Sequence, residues 1–85
     1  MYEKEVLSLD TQYNERIMTS LRTREGIDLS LLENLFGSRL FTYCQRMAAP
    51  YLKSRKLEVY NNHLRLTREG IFTSDGIISD LMFVE

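Results

Sequence analysis

Two matched segments constrain the fold of this chain more than any other feature. Residues 21–27 read LRTREGI and residues 64–70 read LRLTREG, and each contains a glycine, the residue that most readily adopts the left-handed backbone found where helices stop. The pattern between them is helical and then alternating, and another helical pattern follows. This layout predicts a mostly α-helical, winged-helix-like domain, with a three-helix unit, a small two-stranded β-hairpin as the wing, and a C-terminal helix.

The first half of the unit predicts two helices. Thr11 is a good capping residue for the first, which should end near residues 22–24, with Gly26 as the left-handed stop. Asp28 caps a short second helix that Gly37 ends. The apolar residues of the first helix share one face through their spacing: Tyr13, Ile17, Met18 and Leu21.

A third helix should follow, with Ser38 as its cap and Pro50 as an interruption. An interior proline removes a backbone hydrogen bond and clashes with the preceding turn at a cost of about 3 kcal/mol, so we expect a kink or two short helices. After Lys56 the pattern alternates, with the turn at residues 61–62, which predicts the hairpin. Thr67 caps the last helix, whose expected apolar face comprises Ile71, Phe72, Ile78, Leu81, Met82 and Phe83.

The length and composition of the chain are sufficient for only one small domain. The 85 residues, 44% hydrophobic and 27% charged, suit a single globular core. No apolar run reaches the roughly 18 residues of a membrane span, and residues 1–10 do not resemble a signal peptide. We therefore expect a soluble, cytoplasmic protein with no membrane partner. Cys44, the single cysteine, should be a buried small apolar side chain, and Gly70 and Gly76 either weaken the last helix or permit close packing.

The sequence contains one cysteine, one histidine and no tryptophan. It therefore offers no group of side chains from which a metal site or a catalytic site could be assembled. His63 adjoins the predicted turn and is expected to be an exposed loop residue rather than a ligand or proton carrier. Three tyrosines could line a pocket for a flat ligand, but their spacing is better explained if they belong to the core or its rim. They are Tyr43, Tyr51 and Tyr60.

Charge is unevenly distributed along the sequence. Residues 34–68 contain seven basic residues and one acid, a local charge of +6, whereas the two flanking regions are acidic. A winged helix could use this charge to contact DNA phosphates, but the overall pI of about 5.8 is low for such a module, which argues against nucleic acid as a partner. The candidate DNA contacts are Arg39, Arg46, Lys53, Arg55, Lys56, Arg65 and Arg68. The first five of them also form a possible basic docking face for an acidic partner.

Arg22 and Arg24 follow the first helix directly. Cations in this place interact favourably with the negative end of the helix dipole, by about 0.3 to 1 kcal/mol, which explains them without a ligand. The alternative is that a guanidinium group faces an anionic carboxylate such as a porphyrin propionate. Both explanations remain open from the residues alone.

An ordered set of short motifs resembles one known family. The motifs are NE at residues 14–15, LRT at 21–23, EGI at 25–27, FG at 36–37, LRLT at 64–67, Gly70, and SD at 74–75. Together they resemble the C-terminal domain of oxygen-independent coproporphyrinogen III oxidase-like proteins, which are radical S-adenosylmethionine (SAM) enzymes, and of their heme chaperone relatives. A glycine often precedes the wing in that family, and Lys56 stands there in this sequence.

The resemblance implies a parent protein larger than this domain. Its N-terminal barrel would hold a 4Fe-4S cluster through three closely spaced cysteines and cleave SAM, and porphyrin or heme would be its ligand. Residues 1–10 would then be a severed connection to that catalytic domain, and residues 11–85 the winged-helix-like domain that shapes or covers the substrate site.

On this interpretation the domain itself is not an enzyme, has no catalytic residue and holds no cofactor, and Arg22 and Arg24 contact substrate or the barrel. The resemblance does not separate the oxidase from the heme chaperone, although the short form of this domain is closest to the chaperone branch. Two alternatives remain: a stand-alone winged-helix module that binds DNA or dimerises, and a docking domain without a ligand.

Overall fold

A computed structural model describes residues 8–84 and confirms a mostly helical domain with a small sheet and a C-terminal helix. The elements are α1 (Leu9–Leu21), β1 (Ile27–Asp28), α2 (Leu29–Lys53), β2 (Leu57–Tyr60), β3 (His63–Leu66), α3 (Arg68–Ile71) and α4 (Ser74–Leu81). The order is winged-helix-like, with β2 and β3 as the wing. No helix among these residues is both long and apolar enough to span a bilayer.

Helix α1 begins one turn earlier than expected. Ser8, not Thr11, is its N-cap, and the Ser8 side chain accepts the backbone N–H of Thr11 at 3.1 Å. Leu9 and Asp10, which the sequence assigns to the connection, therefore belong to the helix, and the extra turn places the Asp10 carboxylate 2.8 Å from Arg39. Residues 1–7 lie outside the described part of the chain. The predicted inner face is confirmed, with Tyr13, Ile17 and Leu21 buried.

Helix α2 joins the two helices predicted between Asp28 and residue 53. Asp28 is the N-cap, as predicted, and its carboxylate accepts the N–H of Leu31 at 3.1 Å. Gly37 interrupts the helix with φ 85° and ψ 178°, so the break is where the sequence placed it, although no loop follows. The expected break at Pro50 is wrong, because the helix continues to Lys53. Pro50 is exposed, and its carbonyl still accepts the Ser54 N–H at 3.0 Å, so the helical turn continues past the position whose own N–H is missing.

The end of α2 leads directly into the wing. The N–H of Lys56 bonds to the carbonyl of Tyr51 at 2.8 Å and that of Arg55 to Leu52 at 3.2 Å, the pattern of a Schellman motif. Its left-handed residue is Arg55, with φ 67°. The lack of a glycine at Lys56 therefore does not prevent the wing, because the position that favours glycine is the one before it.

The hairpin is confirmed, and the sheet has one strand more than predicted. Asn61 and Asn62 have φ of 53° and 61°, as a type I′ turn requires at both central positions. Strand β1 pairs antiparallel with β3, with Ile27 opposite Leu64, so the strand order is β1-β3-β2. Two residues are too few to produce a detectable alternation, which is why the sequence pattern missed this strand.

The C-terminal region is two helices rather than one. Thr67 caps α3 as predicted, but the chain turns at residues 72–73 before α4 begins. Ile71 and Phe72, expected on the apolar face, are 60% and 83% exposed. The reason is that α3 lasts a single turn, so its residues do not continue the face of α4, where Ile78 and Leu81 are buried as predicted.

The core lies where α1, both halves of α2, the sheet and α4 meet. Cys44 is buried there, as predicted. The fully buried Tyr13 donates its hydroxyl to the carbonyl of Leu81 at 2.9 Å. The Asn14 amide donates to the Phe83 carbonyl at 3.0 Å and accepts the Phe83 N–H at 2.6 Å. These bonds fix the end of the described chain against α1.

Candidate functional site

The two matched segments of the sequence meet in one open groove of about 660 Å³, which we call the motif groove. Its walls are the turn after α1, the wing, and the beginning of α3. The groove is lined by Leu21, Arg22, Thr23, Arg24, Glu58, Arg65, Leu66, Thr67, Arg68, Ile71 and Ser74. Segments more than 40 residues apart in the sequence thus form a single surface feature.

The first segment is shaped by Thr23 and Gly26. The Thr23 hydroxyl donates to the carbonyl of Ser20 at 2.6 Å and accepts the N–H of Gly26 at 3.1 Å. Gly26 has φ 81°, and a Cβ there would lie only 2.2 Å from the carbonyl oxygen of Leu64. Glycine is therefore needed both for the backbone conformation and for the close approach that lets β1 pair with β3.

The second segment uses the same arrangement. The Thr67 hydroxyl accepts the N–H of Gly70 at 3.1 Å and donates to the carbonyl of Arg55 at 2.7 Å. A Cβ on Gly70 would lie 2.0 Å from the carbonyl oxygen of Lys56. In both copies of Thr-Arg-Glu-Gly, the threonine and the glycine thus make the same local bond. Arg24 and Arg68 occupy the same position in the two copies.

The groove is strongly basic. Four arginines and one glutamate line it, a net charge of +3. Arg65 is held in place, because its Nε donates to Glu58 Oε2 at 2.7 Å and its guanidinium carbon lies 4.4 Å from the centroid of the Tyr60 ring. The side chains of the other three arginines are exposed and make no hydrogen bond or ion pair within residues 8–84. They are Arg22, Arg24 and Arg68.

This arrangement suits an anionic ligand. A guanidinium group presents several N–H donors in a fixed plane that matches the two oxygens of a carboxylate or phosphate. The sequence singled out Arg22 and Arg24, and the structure places both in the groove. It also adds Arg65 and Arg68, which sequence reasoning had considered only as DNA contacts. The repetition of Thr-Arg-Glu-Gly was the signal that could have brought Arg68 beside Arg24.

The predicted basic docking face does not form part of this groove. Arg39, Arg46 and Lys53 are spaced by seven residues and share one side of α2. Arg39 is engaged, since it pairs with Asp10 and its guanidinium carbon lies 5.1 Å from the Phe83 ring centroid. The remaining two residues of that face lie in other shallow grooves, Lys56 with Arg46 and Asp80, and Arg55 with Leu52 and Glu69.

The single histidine and the tyrosines make contacts within the domain. His63 is half-buried in β3 rather than exposed in a loop, because the turn ends at residue 62, and its Nδ1 lies 2.9 Å from the Asn61 carbonyl. Tyr43 donates to the Met82 carbonyl at 3.1 Å, and Tyr51 donates to the Asp80 carboxylate. That hydrogen bond, with a smaller effect of burial, raises the pKa of Tyr51. The tyrosines do not line one common pocket.

Metal-ligating side chains do not cluster in residues 8–84, where no group of three His, Cys, Asp or Glu residues could hold an ion. Cys44 is buried, and burial raises the pKa of its thiol, so it is not a reactive thiolate at neutral pH. The chemistry that the motif groove offers is anion binding through its arginines.

Comparison with known proteins gives one match. The family model described as the HemN C-terminal domain matches residues 7–73, which include both Thr-Arg-Glu-Gly segments, the whole sheet and all of α3. No curated protein and no solved structure matches the chain.

Proposed function

Because the chain belongs to the HemN C-terminal domain family, we propose that it is the non-catalytic C-terminal domain of an oxygen-independent coproporphyrinogen III oxidase-like radical SAM protein. In this role it lies beside an N-terminal barrel of the same protein, in the cytoplasm, and shapes or covers the substrate site. The barrel would supply the 4Fe-4S cluster and SAM. This domain would supply binding and positioning.

The observation that carries the proposal is the motif groove, with three arginines whose side chains have no partner among residues 8–84. Tetrapyrroles such as coproporphyrinogen III and heme have propionate side chains, which are carboxylates. Arg22 and Arg24 belong to the same hydrogen-bonded turn. A charge-assisted hydrogen bond from either side chain to a carboxylate would contribute roughly 1.5 to 3 kcal/mol. Coproporphyrinogen III and heme both carry propionates, so the proposal covers both branches of the family.

Direct titration tests the ligand contact. Coproporphyrin III binding is followed by fluorescence and heme binding by absorption, for the wild-type chain and for Arg22→Gln and Arg24→Gln. We expect saturable binding that each substitution weakens by about tenfold, the equivalent of one lost charge-assisted hydrogen bond. Arg16→Gln is the matched control, since Arg16 is an exposed arginine of α1 that lines a different groove. Equal affinity in all four proteins would contradict the proposed ligand contact.

The genomic sequence tests the barrel. Reading the DNA upstream of the Met1 codon should reveal an open frame that encodes cysteines spaced Cys-x3-Cys-x2-Cys. An in-frame stop codon immediately upstream would contradict a barrel in the same chain. In that case binding to duplex DNA that falls steeply with salt would support the alternative of a stand-alone winged-helix module.

A further inference from the structure

The corner between α3 and α4 exposes large apolar side chains without an internal role. Phe72 is 83% exposed, more than any other large apolar residue that the structure describes, and its neighbour Ile71 is 60% exposed. Single exposed apolar residues are common on protein surfaces, whereas neighbouring exposed apolar residues beside a groove are typical of an interaction site. Phe72 does not contribute to the core, which in this part of the chain consists of Ile77, Ile78 and Leu81.

The corner is fixed in place rather than loose. Gly70 packs its backbone against the carbonyl of Lys56, and the N–H of Thr73 bonds to the Gly70 carbonyl at 3.1 Å. The N–H of Ile77 then bonds to the Thr73 carbonyl at 3.2 Å and begins α4. Phe72 is therefore presented by a backbone that is bonded on both sides. A side chain presented in this way loses little further backbone freedom when a partner binds.

The groove beside the corner has a net positive charge. Ile71 lines the motif groove together with Arg22 and Arg68, which have no ion-pair partner among the described residues. The one acid that lines the groove, Glu58, pairs with Arg65, and Glu69 lines a different groove with Leu52 and Arg55. Apolar and guanidinium groups thus meet along one edge. Aromatic residues and arginine are the residues most enriched in the parts of interfaces that dominate binding.

We propose that Arg22, Arg68, Ile71 and Phe72 form a protein docking surface, which we call the corner surface, and that it binds an acidic protein segment. In this segment, carboxylates flank a large apolar side chain. The carboxylates pair with Arg22 and Arg68, and the apolar side chain packs against Ile71 and Phe72.

The geometry favours this occupant over two others. A second copy of the chain, bound about a two-fold axis, would bring the arginines of both copies together, and like charges at an interface are unfavourable. A flat lipid surface would reach the protruding Phe72 ring but not the floor of the groove. A protein segment can do both. The two proposals share Arg22, so a peptide and a tetrapyrrole would compete there, whereas Phe72 does not line the groove and belongs to the corner surface alone.

Selection of short random peptides on the immobilised chain tests the corner surface. We expect the enriched sequences to combine Asp or Glu with Leu, Phe or Trp. A synthetic peptide of the enriched sequence is then titrated by fluorescence anisotropy. Phe72→Ser and Arg68→Gln should each weaken it by about tenfold. Val84→Ser is the control, since Val84 is 75% exposed elsewhere on the chain.

Several results would overturn the proposal. They are the enrichment of sequences without acids, no enrichment, or a peptide affinity that Phe72→Ser leaves unchanged while urea unfolding shows that the variant is folded. A dimer in sedimentation equilibrium that Phe72→Ser dissociates would assign the surface to a second copy. Binding to phosphatidylserine vesicles in place of the peptide would assign it to a membrane. Coproporphyrin III binding should be unchanged in Phe72→Ser, so failure here is distinct from failure of the ligand contact.

Discussion

Replacing Gly70 with alanine should strongly destabilise the domain, although alanine is the better helix former. The new Cβ would lie 2.0 Å from the Lys56 carbonyl oxygen, 3.0 Å from its carbonyl carbon and 3.2 Å from Leu66 Cδ2. Ordinary contact begins at 3.4 Å, so the distance to the oxygen must grow by 1.4 Å. Backbone cannot rotate away as the end of a flexible side chain can. Either α3 or the start of the wing must therefore move.

The movement would break identifiable bonds. The Thr67 hydroxyl donates to the Arg55 carbonyl at 2.7 Å, and the Thr67 N–H bonds to the same Lys56 carbonyl at 3.0 Å. Losing both costs roughly 1 kcal/mol each, with a further 1 to 3 kcal/mol for the overpacked contact. The gain in helix propensity offsets about 1 kcal/mol. We expect a net loss of about 2 to 4 kcal/mol, which is a large fraction of the stability of a domain this size.

Gly76→Ala is the matched comparison for this prediction. Gly76 is an exposed helical residue of α4, and nothing lies within 4 Å of the position that its Cβ would occupy. Alanine should stabilise the domain there by about 1 kcal/mol and raise Tm by about 4 to 8 °C. Urea unfolding followed by circular dichroism measures both variants. If Gly70→Ala were as stable as the wild type, the close approach of α3 to the end of α2 would not exist as described.

Two further predictions concern stability. Arg55→Gly should raise the free energy of unfolding by about 1 kcal/mol in urea titrations, because Arg55 holds φ 67°, which glycine adopts without strain; an unchanged or lower value would mean that the Arg55 side chain makes a compensating contact. Stability should fall above about pH 9, because burial raises the pKa of Cys44 above the ordinary 9.0 and, with a smaller effect of Cys44, that of Tyr13 above 10.0. The unfolded chain then releases these protons first, so unfolding free energy measured against pH should be flat near neutrality and decline by up to about 1.4 kcal/mol per pH unit for each group. The decline should be shallower in Tyr13→Phe, and a flat profile to about pH 11 would contradict the burial of both groups.

Local signals in the sequence were sufficient for most of the secondary structure. The caps at Asp28 and Thr67, the break at Gly37 and the turn at residues 61–62 each depend on a few neighbouring residues, and all are where the sequence predicts them. The first cap was wrong because Ser8 and Thr11 are both good capping residues, three positions apart. Neighbouring residues alone do not decide between them, whereas the contact between Asp10 and Arg39 exists only with the earlier start.

Long-range contacts account for what the sequence did not reveal. Strand β1 exists because Gly26 lets the backbone approach β3, and the exposure of Phe72 follows from the packing of Gly70 against Lys56. A periodic pattern treats residues 71–83 as one helix, since it contains no information on where the backbone meets another segment. The motif groove has the same origin, because Arg24 and Arg68 become neighbours only through the sheet and the end of α2.

In the repeated Thr-Arg-Glu-Gly sequence, the residues that shape the fold are not the ones proposed to bind a ligand. In both copies the threonine hydroxyl and the glycine account for the local geometry, and Glu69 suits the first turn of α3, where the helix dipole favours acids. The arginines have no such role, because Arg24 and Arg68 are exposed and their side chains are unpartnered within residues 8–84. Substituting either with glutamine should change the free energy of unfolding by no more than about 0.5 kcal/mol. The stability of Arg24→Gln and Arg68→Gln therefore determines whether their binding defects can be attributed to the groove itself.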